Sequence, residues 1–346
     1  MEIRTLEAGE RDAWLDLLDG WEDMPDGWTG RDFFARWPLH DPTYADENVW
    51  VAAEGGQLLS AVQIFPRTVR VLDHAVPAGG IGSVFTHASR RGERLAGRVL
   101  EQAIAAMRGR GMELSVLFAT RFDFYGHYGF ASWKNQRAWM RRVEAPRALA
   151  PRDPELEISR FEWDRDLENV KVLHAEYSRS RSGTVVRDDA LWEASFELAG
   201  NPDEELVVAR RAGELVAHLR LVRMFGKLVV TELSRSDDAE PLAELIDAEL
   251  RPRQPDVLCR AEQSSEALRE ALLLPSFDDL PLTVSLEQRG ISAQVVDDPT
   301  NMLQCLDAEA LGARLEVSVR SGETPTELLK RVLPPENFVF WPADRF

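Results

Sequence analysis

Gly79-Gly80-Ile81-Gly82-Ser83-Val84-Phe85-Thr86-His87 runs through Ala88 and Ser89 into Arg90-Arg91-Gly92-Glu93-Arg94-Leu95-Ala96. The first part reads as a strand over residues 81–87. The second is a basic turn holding one glycine, and Leu95, Val99, Ala103 and Met107 then recur at helical spacing over about 94–108. Gly109 and Gly111 stop that helix. Residues 114–119 are almost continuously apolar, as in a buried parallel strand, so 81–119 make one βαβ unit. A strand feeding a basic turn at a helix N-terminus leaves backbone N–H donors free beside cationic side chains, which is what holding a pyrophosphate requires. Taken alone, the same residues also fit a solvated basic turn.

Working outward, residues 3–7 read as a strand, 10–21 as a helix with Trp14, Leu15 and Leu18 on one face, and 29–37 as a helix capped by Thr29. A period of two over 49–53, 58–65 and 68–72 predicts an antiparallel meander. Downstream come a helical turn around 122–128, carrying Phe124-Tyr125-Gly126-His127-Tyr128-Gly129-Phe130, and a strand over 131–141. The proline-rich stretch 145–154 marks a boundary, after which the order of elements restarts at low identity. Strands are expected at 156–161, 205–210, 214–223, 227–233 and 256–260, and helices at 164–178, 188–198, 241–250 and 264–273. The last 69 residues, 278–346, show strand-like runs at 281–287 and 315–319, a helix at 326–332 and an aromatic end.

With strand, basic turn, helix, strand and Tyr-Gly-x-x-Gly-Phe in this order, residues 1 to about 145 resemble the GNAT family of acyl-CoA-dependent N-acetyltransferases. The chain as a whole is similar to the multidomain branch of the enhanced intracellular survival acetyltransferases. The resemblance implies an α/β (α+β) fold class: tandem GNAT-like acyl-CoA acyltransferase folds with mixed central sheets, plus a small C-terminal α/β segment related to sterol carrier proteins. It divides the chain into an acetyl-CoA-binding domain at 1–145, a degenerate second GNAT-like domain at 150–277, and a short segment at 278–346 whose tail docks into the N-terminal active site. The cofactor-binding residues it implies are Val84, Phe85 and Thr86 along the pantetheine arm, and Arg90, Arg91, Gly92, Glu93, Arg94, Leu95 and Ala96 around the pyrophosphate. The family's middle glycine is Arg94 here. Tyr125 falls on the general acid that returns a proton to the CoA thiolate, a role suited to a phenol with a reference pKa of about 10. The α-carboxylate of Phe346 falls on the terminal base.

The second region has its own turn, Ser234-Arg235-Ser236-Asp237-Asp238-Ala239-Glu240-Pro241, with three carboxylates and no glycine. Acids at a helix start cap it and repel phosphate, so this half is expected to bind no CoA and to wall the acceptor cavity. Trp21, Trp28, Phe33, Phe34 and Trp37 are candidates for the other wall, and Asp23, Asp26 and Asp41 for attracting a cationic acceptor; a packed aromatic core and a solvated acidic face are the alternatives.

Composition sets the outer limits. The chain has 346 residues with 44% hydrophobic and 29% charged residues, enough for about two ordinary domains. The 41 basic and 59 acidic residues give a net charge of −18, which disfavours nucleic acid and anionic membranes. Cys259 and Cys305 form no disulfide or thiolate-metal pattern, the six histidines are scattered so no metal is expected, and no apolar run is long enough to cross a bilayer. A Gly-x-Ser-x-Gly elbow, a P-loop and His-Glu-x-x-His are all absent. The expectation is a cytoplasmic enzyme, free or as a homo-oligomer, that transfers acetyl from acetyl-CoA to a primary amine of a small molecule or peptide, the acceptor being cationic. Its alternatives are a catalytically degenerate tandem-GNAT protein that binds an acyl-CoA or other ligand as a sensor, and a CoA thioester hydrolase.

Overall fold

The computed structural model describes residues 1–22, 24, 27–142, 153–198, 204–224, 227–250, 272–275, 279–334 and 338–344. In chain order these form β1 (Glu2–Thr5), α1 (Arg11–Leu18), α2 (Gly30–His40), β2 (Val49–Glu54), β3 (Gln57–Val71), β4 (His74–Thr86), α3 (Leu95–Gly109), β5 (Leu114–Phe118), α4 (Phe122–Gly126) and β6 (Ala131–Arg142). There follow β7 (Leu156–Arg160), α5 (Trp163–Ser178), α6 (Asp189–Leu198), β8 (Glu205–Arg211), β9 (Glu214–Met224), β10 (Lys227–Arg235) and α7 (Glu240–Leu250). The last elements are β11 (Leu272–Pro275), α8 (Leu280–Gln288), β12 (Ile291–Cys305), α9 (Ala308–Arg314) and α10 (Pro325–Val332).

All the strands belong to one sheet in the order β1-β2-β3-β4-β5-β12-β6-β11-β10-β9-β8-β7. The order is palindromic. On each side four antiparallel-linked strands lead to a parallel pair, β4 with β5 and β10 with β11, and the halves meet at the antiparallel pair β12 and β6. Each half is completed by a strand from elsewhere in the chain. β12 lies against β5 through Asn301–Cys305, and β6 lies against β11 through Arg137–Met140. The sheet therefore runs without a break across the expected boundary, and residues 143–152 lie outside the description.

Helices cover both faces of the first half. Val99, Ala103 and Met107 of the α3 stripe are buried with Val62, Ile64, Ile81 and Leu117, and Leu95 is buried at the start of the helix, while Trp14, Leu18, Phe34 and Trp37 of α1 and α2 bury Val51, Ala61 and Phe65 on the other side. Thr29 caps α2 by accepting from the Asp32 N–H. In the second half α7 packs its Leu242, Leu245 and Ile246 on Val207, Ala209 and Leu219, and Val208 meets Val170 of α5 and Trp192 of α6.

Several expectations need correction. Residues 58–65 and 68–72 are one strand, β3, because Pro66 sits where β2 has already ended its pairing at Gln63, so the missing N–H costs no ladder bond on that side. Residues 281–287 are helical: Asp279 caps α8 by accepting from the Leu282 N–H, and Leu282 and Leu286 share its buried face. Residues 315–319 follow α9 outside any strand, with Glu316 at φ 55°. The strand parallel to β10 is Leu272–Pro275, which overlaps the end of the helix expected at 264–273; the strand expected at 256–260 lies outside the described residues.

Candidate active site

The site grows out of the point where β4 leaves β5. Their parallel ladder covers only Ala78–Ile81 against Leu114–Leu117, while β4 runs on to Thr86. Just beyond the ladder the register with β3 shifts between Ala61 and Gln63, and Ser83 adopts φ 51°, its hydroxyl donating to the Gln63 side-chain oxygen at 3.0 Å. Beyond this bulge successive side chains face opposite sides of the sheet. Val84 joins the apolar cluster under α3, and Phe85 turns to the α1–α2 side, where its ring stacks with Trp21 at 5.7 Å. Ser60 donates to the Phe85 carbonyl and lies 2.8 Å from the Thr86 hydroxyl, fixing the end of β4.

The basic turn follows. Gly92 takes φ 90°, and Arg94, the residue just before α3, takes φ 57° and ψ 26°. That left-handed conformation is where glycine is free and a Cβ is crowded, which explains the glycine of the family motif at this position. No side chain caps α3, and its first intrahelical bond is Arg98 N–H to the Arg94 carbonyl. Among the described residues no acceptor meets the N–H groups of residues 92–97, so the helix start presents a run of free donors. Arg91 and Arg94 are exposed beside it, Arg91 with its guanidinium 5.8 Å from the Phe85 ring. Arg90 is engaged elsewhere: Nε and Nη2 donate to the two oxygens of Glu93 at 2.8 and 2.9 Å, and Nη1 donates to Glu54 at 2.9 Å. Leu95 is buried in the core and Ala96 half-buried. The loop thus sets free backbone donors beside two exposed guanidinium groups.

Tyr125 lies on α4, in the same apolar cluster as Val84, Ile81 and the α3 stripe, with Phe124 and Phe130 edge-on at 4.9 and 6.1 Å. Its ring is half-buried, and burial pushes the phenol up to about 12, so it stays protonated throughout the neutral range. Tyr128 packs its hydroxyl against Gly97 so closely that a Cβ there would fall 1.8 Å from it, which ties α4 to the start of α3. His127 is exposed at the end of α4.

On the other face, Trp21, Trp28 and Phe33 are half-buried, whereas Phe34 and Trp37 are core. Arg36 lies 4.3 Å from the Phe33 ring centre and 4.8 Å from that of Trp28, and burial lowers its pKa to about 10. Asp41 is buried in a salt bridge with Arg67 at 2.6 Å. Its expected role toward a cationic acceptor is corrected accordingly, since its charge is already compensated. Asp23, Asp26 and Phe346 lie outside the described residues. The segment leading to Phe346 runs along the seam between the halves. Phe340 meets Phe118, the last residue of β5, edge-on at 5.1 Å, while Val339, Trp341 and Ala343 enter the core of the second half.

The equivalent loop of the second half is filled with acids. Asp238 accepts from the Glu240 N–H at 3.0 Å, and Arg211 pairs with Asp238 at 2.8 Å. Sequence reasoning missed a buried ionic group nearby: Arg187 bonds Glu232 and, at 2.6 Å, Asp344, while His218 bridges Glu232 and Ser234. Burial alone would raise Glu232, but Arg187 holds it well below the usual carboxylate range. No local periodicity marks such a group, because its members come from four separate segments. Among the described residues no cluster of His, Cys, Asp and Glu is arranged to hold a metal, and no helix is long and apolar enough to cross a membrane.

Residues 2–132 match the family model of the acetyltransferase (GNAT) domain. A protein of Streptomyces avermitilis described as an uncharacterized N-acetyltransferase is 30% identical over 149 residues, 41% of this chain and 35% of that protein, so the match spans about a third of the relative. Among solved structures, a GCN5-related N-acetyltransferase from Kribbella flavida superposes with a TM-score of 0.66 at 18% identity, covering 90% of this chain and 73% of that one. Eis1 from Mycobacterium abscessus gives 0.60 at 16% identity, covering 91% and 76%. At such identities the likeness is one of fold, and it extends over both halves. The bulged β4, its short ladder to β5 and the uncapped α3 all lie within the stretch, residues 2–132, that matches the GNAT acetyltransferase domain model, and the solved structures extend the likeness in fold to both halves.

Proposed function

We propose that the chain is an acetyl-CoA-dependent N-acetyltransferase acting on a primary amine of a small molecule or peptide by direct attack in a ternary complex. The observation that carries this reading is the run of free N–H groups at residues 92–97, opening beside the place where β4 leaves β5. The diphosphate of CoA takes those amides together with Arg91 and Arg94, and the pantetheine arm follows the backbone of Val84, Phe85 and Thr86. The amine nitrogen attacks the thioester carbonyl, the C–N bond forms and the C–S bond breaks. Backbone N–H groups near residues 84–86 stabilise the oxyanion. The thiolate takes its proton from Tyr125, whose burial keeps that proton in place until the thiolate leaves. The proton released by the amine goes to water.

Calorimetry with acetyl-CoA followed by a thiol-release assay over an amine panel tests the reading. Binding and amine-dependent release of CoA are expected; no binding at millimolar acetyl-CoA overturns it. Arg94 in the usual glycine position favours a second reading, a ligand-binding protein without catalysis, for which binding without thiol release on any amine is the expected result.

A further inference from the structure

Arg90 is the first cation of the basic turn, yet each of its donor nitrogens engaged in this structure faces a carboxylate: Nε and Nη2 meet Glu93, and Nη1 meets Glu54 at the β2–β3 turn. Glu93 stands two residues before the first residue of α3. A helix start with free N–H groups attracts a carboxylate for the same reason that it attracts a phosphate. An unrestrained acid at this distance is a competitor for the diphosphate slot, both as a cap and as a like charge. Yet α3 has no side-chain cap, and the Glu93 carboxylate is held in the two-pronged grip of Arg90. Arg91 and Arg94, by contrast, are exposed and have no carboxylate partner among the described residues.

We propose that Arg90 is a positioning residue that draws the Glu93 carboxylate away from the start of α3, leaving the amides of residues 92–97, with Arg91 and Arg94, open to the diphosphate of CoA. The inference deepens the acetyl-CoA reading and rests on it for its ligand. Arg90 then acts without touching CoA, and its loss harms binding only while Glu93 carries a charge.

A double-mutant cycle separates this from direct contact. CoA affinity is measured by calorimetry at fixed ionic strength for the wild type, Arg90→Gln, Glu93→Gln and the double variant. Arg90→Gln is expected to weaken binding about tenfold and Glu93→Gln to tighten it, with the double variant returning to within about threefold of the wild type. At saturating acetyl-CoA, kcat is expected to stay level, the effect falling on KM. A double variant as weak as Arg90→Gln overturns the proposal, because Arg90 then contacts the diphosphate itself. A readout without CoA runs in parallel: in Arg90→Gln, the amide resonances of Leu95, Ala96 and Gly97 should titrate in the carboxylate range, and the titration should vanish in the double variant. Its absence in Arg90→Gln also overturns the proposal. A wild type that binds no CoA overturns the acetyltransferase reading instead, and the amide titration still decides whether Arg90 restrains Glu93.

Discussion

Replacing Arg94 by Gly separates a working diphosphate slot from a decayed one. Arg94 holds φ 57° and ψ 26° at the residue that starts α3, a conformation that costs a residue with a Cβ roughly 1 kcal/mol. Glycine removes that cost but adds freedom to the unfolded chain worth about 0.4–1 kcal/mol, so the two nearly cancel and the melting temperature should move by no more than about 2 °C. The charge does not cancel. A cation about 6 Å from a phosphate charge in water-like surroundings is worth about 0.7 kcal/mol, and two such charges give about 1.4 kcal/mol, or tenfold in affinity. With salt screening, Arg94→Gly is expected to weaken CoA binding three- to tenfold. Arg94→Ala loses the same charge and, like arginine, carries a Cβ in the left-handed backbone, so it should match the glycine variant in affinity and stay within about 0.5 kcal/mol of the wild type in stability. Calorimetry with CoA and thermal melting of the three proteins give all the numbers required. Tighter binding by Arg94→Gly than by the wild type refutes the reasoning, since Arg94 would then be obstructing the slot.

Other consequences follow from the same geometry. Tyr125→Phe should lower kcat about a hundredfold with little change in the KM for acetyl-CoA, and the phenol, pushed up to about 12, should leave no titration in the kcat profile below pH 10; an unchanged kcat removes Tyr125 from the chemistry. Burial holds Tyr125 and Tyr177 at about 12 against about 10 in the unfolded chain, so between pH 10 and 12 only the unfolded state releases these protons, and unfolding by urea should become easier across that window. Arg187→Met leaves Glu232 and Asp344 buried without their cation and should cost about 3–5 kcal/mol in chemical denaturation, whereas a loss below 1 kcal/mol means the group is not buried as described. The fragment 1–142 lacks β12 and exposes the edges of β5 and β6, so it should aggregate or stay unfolded; a folded, soluble fragment contradicts the shared central pair.

What the sequence discloses follows the range over which each feature is encoded. The βαβ unit is legible because Leu95, Val99, Ala103 and Met107 repeat within one helix and a continuous apolar run follows it. The slot is legible because its parts are neighbours in the chain. β12 is hidden on both counts: Asp297-Asp298-Pro299-Thr300-Asn301 reads as a turn, yet it is a register shift inside a long strand, and the partners of that strand were laid down at residues 114–118 and 131–142. The state of Arg90 is hidden too, since charge counting records a cation and cannot see Glu54, which a hairpin brings back beside it. The palindromic sheet sharpens the comparison between the halves. Both have a helix, α3 or α7, between the two strands of a parallel pair, so the scaffold alone does not make a diphosphate site. In the first half the acid next to the helix start is restrained by Arg90 and the amides stay open, while in the second Asp238 itself takes the Glu240 N–H and Arg211 neutralises it. The placement of one carboxylate relative to one set of amides therefore distinguishes the helix starts of the two halves.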